Sequence, residues 1–70
     1  MLSKESKVEI IESRINIIEG VLYNIDLAIF EEESKSQPVA DYLNELNREK
    51  SENILALLAM TNKLEMVLSE

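Results

Sequence analysis

The stretch VEIIESRINIIEGVLYNIDLAI, residues 8–29, decides the fold. Within it Val8, Ile11, Ile15, Ile18, Leu22, Ile25 and Ile29 fall three and four positions apart in strict alternation. That is the spacing of a helical seam that packs on a second helix. The apolar–polar alternation that a strand needs fails over the same window. Its many isoleucines lower intrinsic helix propensity, but so regular a seam overrides that preference.

Working outward, Ser6 and Glu9 have the spacing of a capping box, with Ser3 as an alternative cap one turn earlier. On the other side Ser34-Lys35-Ser36-Gln37 is a small polar cluster, followed by the single proline, Pro38. Pro38 suits the first position of a helix, where its missing N–H costs nothing. Gln37, preceding a proline, is pushed out of helical geometry. Asp41 then favours the first turn of the new helix. The run Glu31-Glu32-Glu33 opposes the dipole at a helix C-terminus, so a solvated, frayed end is expected there. Docking of a basic partner surface is the functional counterpart.

Beyond Pro38 a second seam runs through Val39, Leu43, Leu46, Lys50, Asn53, Leu57, Met60, Leu64 and Val67. The spacing predicts one domain over residues 1–70: a helix over 4–33, a turn over 34–37 and a helix over 38–69. Each helix is roughly 45 Å long at 1.5 Å per residue. A short turn makes them antiparallel neighbours. A turn centred near Lys35 and Ser36 brings the two seams into one register. Ile25 meets Leu46, Leu22 meets Lys50, Ile18 meets Asn53 and Ile11 meets Met60. The fold class is all-α, a coiled-coil-like antiparallel hairpin. Lys50 and Asn53 break the second seam; the seam frays there or shifts to Ile54, or a polar pair fixes the register. Lys50 has a stem long enough to carry its ammonium to water.

A hairpin needs one apolar stripe per helix, and this chain has more. Ile10, Ile17, Tyr23, Leu27 and Phe30 lie outside the first seam, with Gly20 among them. Leu55, Leu58, Ala59 and Met66, with Ile54 and Leu68, lie outside the second. The register sets Ile10 and Ile17 beside Thr61 and Leu55, so the surplus is expected to form one long surface. Each large aliphatic side chain buried contributes about 1.5–3 kcal/mol. A contiguous apolar patch therefore marks a partner site, filled by a second copy or by a different protein. Gly20 costs about 1 kcal/mol mid-helix relative to Ala. It is either an idle defect or a point of close approach.

Composition excludes much else. Seven Lys+Arg against fourteen Asp+Glu give a net charge of −7, which disfavours nucleic acid and anionic membrane surfaces. No Cys means no disulfide framework or thiolate zinc site. No His removes the usual general base and metal ligand. Carboxylates pair at helical spacing, as in Glu9 with Glu12 and Glu45, Glu49 and Glu52 in succession. Without a desolvated cleft they do no acid–base work, and salt-bridging with Arg48, Lys50 or Lys63 is the expected use. No phosphate-binding glycine loop occurs. The chain is expected to be non-enzymatic and cofactor-free. No apolar run approaches the ~20 residues of a membrane span and no signal peptide is evident, so a cytoplasmic location is expected.

The layout resembles the small helical-hairpin co-chaperones of type III secretion needle subunits. In them an aromatic early in the second helix precedes an Arg-Glu pair and then an alanine-containing aliphatic run. Tyr42, Arg48-Glu49 and residues 54–59 stand in those places here. The resemblance implies a cytoplasmic protein that joins a larger helical-repeat chaperone to hold the secreted needle subunit unpolymerised. The other function class is a homodimeric four-helix bundle, such as a small phage or plasmid regulator.

Overall fold

In a computed structural model covering residues 1–70, the chain forms α1, Lys4–Glu33, and α2, Ala40–Leu68, packed as an antiparallel hairpin. It is a rod of 54 × 15 × 14 Å. All seven expected positions of the first seam are buried or half-buried. So are those of the second from Leu43 to Val67; Val39 alone is exposed. The fully buried apolar core is Ile11, Ile25, Leu46 and Val67.

Three boundary expectations are corrected. First, Ser3 rather than Ser6 caps α1. Its hydroxyl accepts the Ser6 N–H at 3.1 Å, and the Lys7 N–H donates to the Ser3 carbonyl at 3.0 Å. Ser6 lies inside the helix, where the earlier cap adds a turn of hydrogen bonds. Second, Pro38 precedes α2 instead of starting it. Val39 is the extended cap residue, and α2 ends at Leu68. Third, the glutamate run ends in an ordered turn. Glu31 and Glu33 are exposed, but Glu32 is only 3% exposed. One Glu32 oxygen accepts the Val39 N–H at 2.9 Å, and the other receives Lys35 Nζ at 2.8 Å. The Ser34 hydroxyl donates to the Phe30 carbonyl at 2.7 Å. Charge that opposes the dipole of α1 thus favours the positive end of α2.

The polar breaks in the seam are also resolved. Asn53 donates to the Glu49 carbonyl of its own helix at 2.9 Å, so its amide is satisfied without reaching across the seam. Lys50 is half-buried, and its ammonium reaches Asp26 at 2.9 Å, one turn nearer the loop than Leu22. Helical side chains lean toward their own N-terminus, and in α2 that direction runs toward the loop. At the far end Lys7 pairs with the Glu70 carboxylate at 3.1 Å, and Lys4 donates to the Glu70 carbonyl at 3.3 Å.

Candidate interaction surface

Fifteen large apolar side chains stand exposed against four in the core, so the surface carries more apolar material than the interior. Successive helical residues turn by about 100°, which places each of them relative to the seam. Ile10 and Ile17 of α1 lie on one flank of the rod, with Ala59 and Met66 of α2. Between the helices on that flank runs a groove lined by Arg14, Ile17, Ile18, Ala56, Ala59 and Met60. Alanines at two of its positions make the α2 wall low. Ile17 thus shares its groove with Ala56, Ala59 and Met60, whereas Leu55 points away from the hairpin.

The opposite flank carries Tyr23 and Phe30 on α1 and Leu58 on α2. Along its α1 edge Glu5, Glu12, Glu19, Asp26 and Glu33 recur at every seventh position, all exposed. Gly20 and Leu27 occupy the back of α1, and Leu55 the back of α2. The ten expected contact residues are all exposed. They divide among two flanks and two backs and do not form one continuous surface. The reason is angular: Tyr23 lies six residues beyond Ile17, and six steps of about 100° leave it about 120° around the helix from Ile17. A Cβ added at Gly20 would meet nothing within 4 Å, so no residue of the hairpin itself requires glycine there.

The charges are arranged unevenly. Arg48 bridges Glu45 and Glu52, the latter at 2.5 Å, on the exposed side of α2. The hydrogen bond and charge of Arg48 hold the Glu45 carboxyl below its ordinary range, and Glu45 in turn raises the guanidinium. Lys35 and the Val39 N–H depress the Glu32 carboxyl, and Glu32 raises the Lys35 ammonium. Arg14, which lines the groove, and Lys63, which lies nearer the termini beside Ile10 and Val67, take part in no ion pair. Neither does Glu49.

Glu32 was invisible as a structural residue if the seam is ended at Ile29. The signal was present, because the next three-residue step from Ile29 lands on position 32. No helix is long and apolar enough to cross a membrane. Compared with protein-family models, curated proteins and solved structures, the chain shows no match.

Proposed function

We propose that the hairpin is a non-enzymatic protein-binding module, a cytoplasmic co-chaperone or adaptor. In this role it would join a larger helical chaperone of a type III secretion system and help keep the needle subunit soluble. The observation that supports it is the excess of exposed over buried large apolar side chains. An isolated surface of that kind is a partner site or an aggregation liability. The outer positions Tyr23, Leu27, Phe30, Leu55 and Leu58 are those offered to the partner.

The test is to purify the hairpin with a needle subunit and its helical chaperone and to follow needle polymerisation. The expected result is a stable ternary complex and suppressed polymerisation. Unchanged polymerisation, with no complex by sedimentation, removes this role. A homodimeric bundle is the second reading, and the layout of charge along the rod favours it independently.

A further inference from the structure

We infer that the groove flank bearing Ile10, Ile17, Ala59 and Met66 docks a second copy of this chain, with the two rods running in opposite directions. The inference goes beyond the co-chaperone role and does not need it, since the outer positions remain free in such a dimer.

The occupant follows from charge and position. The midpoint of α1 lies between Ile18 and Glu19, and that of α2 is Ile54. Arg14 lies toward the termini from mid-rod, and Glu49 lies a nearly equal distance toward the loop. Lys63 and Glu45 are likewise equidistant from Ile54 on opposite sides, as are Met66 and Tyr42. All six face the same flank. A two-fold axis through mid-rod, normal to its length, therefore stacks each helix on the same helix of the other copy, reversed in direction. On α2 Lys63 meets Glu45 and Met66 meets Tyr42, and Arg14, which lines the groove from α1, reaches across it to Glu49 on α2 of the other copy, each contact occurring twice.

The alternative alignments fail on the same positions. Two rods side by side in the same direction set Arg14 near Arg14 and Glu49 near Glu49, which like charge disfavours. Within one chain Arg14, Lys63 and Glu49 have no ion pair, so the reversed copy supplies partners that the hairpin lacks. Glu45 is already bridged by Arg48, which makes the Arg14–Glu49 contact the stronger of the two. Near the axis Ile17 sits beside the low alanine wall, where a second helix can approach closely.

The experiment is sedimentation equilibrium of the full chain, with helicity followed by circular dichroism. A dimer is expected. Arg14→Glu is expected to weaken it about tenfold or more, because the reversed charge acts at two symmetry-related contacts. Glu49→Arg is expected to do the same, and the double swap to recover most of the affinity. A single Ile17→Cys, close to the axis, is expected to form a disulfide-linked dimer under mild oxidation. A monomer at all concentrations overturns the inference. So does a dimer that withstands both single reversals, or one that the double swap does not restore. A monomer that still binds the needle subunit and chaperone overturns the dimer and leaves the co-chaperone role standing.

Discussion

The Glu32 carboxylate accepts the backbone N–H of Val39 at 2.9 Å, so the end of α1 provides the cap that the start of α2 lacks. Val39 has no polar side chain to satisfy the first turn of its own helix. A carboxylate from the preceding helix takes the N–H of Val39 itself, just before that turn, and is held there by Lys35.

This geometry gives the turn an acid limb. The Glu32 carboxyl is lowered from 4.5 by Lys35 and the Val39 N–H, so its contribution is fully present above that value. It is lost as pH falls through the lower folded value. Glu45 acts in the same direction through Arg48. Lys35, raised from 10.5, contributes below that value and loses its contribution as pH rises through the folded one. Glu32→Gln is expected to lower Tm at neutral pH and to flatten its decline in acid. Glu33→Gln, at an exposed position, serves as the control. Identical acid profiles for the two variants would exclude the cap.

Ser3→Ala is expected to cost about 1 kcal/mol by removing the α1 cap. Ser6→Ala, inside the helix, should be neutral or slightly stabilising. Urea unfolding of the two variants separates the caps, and a larger loss at Ser6 would restore the capping box.

Cysteines at positions 25 and 46 should crosslink within one chain, since Ile25 and Leu46 are both core residues and the seam sets them opposite. Cysteines replacing Ile25 and Leu57 should not. Mass spectrometry after mild oxidation decides between the pairs, and preference for the second would displace the register.

Gly20→Ala should stabilise the hairpin by about 1 kcal/mol, because the added methyl meets open space and helix propensity rises. Binding calorimetry with the proposed partners, a needle subunit and its chaperone, then tests whether this position touches them. Weaker binding by the more stable variant places Gly20 at a contact; equal binding makes it an idle defect.

Leu58→Asp should leave the isolated hairpin helical, since Leu58 is already 56% exposed. It should weaken the partner complex far more than Glu45→Lys does, because a charge buried in an interface is penalised. Full helicity with undiminished complex formation would show that the opposite flank stays free.

Both helices, their seams and their antiparallel arrangement were legible in the sequence because three-four spacing is a direct image of helical geometry. The turn was legible only in outline. Its decisive residue is a glutamate that reaches seven positions ahead, and charge counts describe Glu32 as they describe Glu31 and Glu33. The surplus apolar residues were legible as a list and not as a surface. Spacing in sequence does not convey which side of a two-helix rod each of them occupies until angular positions on both helices are combined. Arg14 and Lys63 illustrate this. They are unremarkable in the chain, yet in the fold they stand on one flank, Arg14 beside Ile17 and Lys63 beside Ile10.

The contacts of Lys4 and Lys7 with Glu70 bring the start of α1 and the end of α2 together, while the loop at 34–39 lies at the far tip. The backbone is therefore nearly a closed circuit. A short glycine-serine bridge from Glu70 to Met1 and a new opening in that loop would yield a circular permutant that keeps both seams. Such a permutant would sever the Glu32 clasp from the rest of the architecture. In the natural order, anything fused to either terminus emerges at the same end and leaves the acidic tip unobstructed.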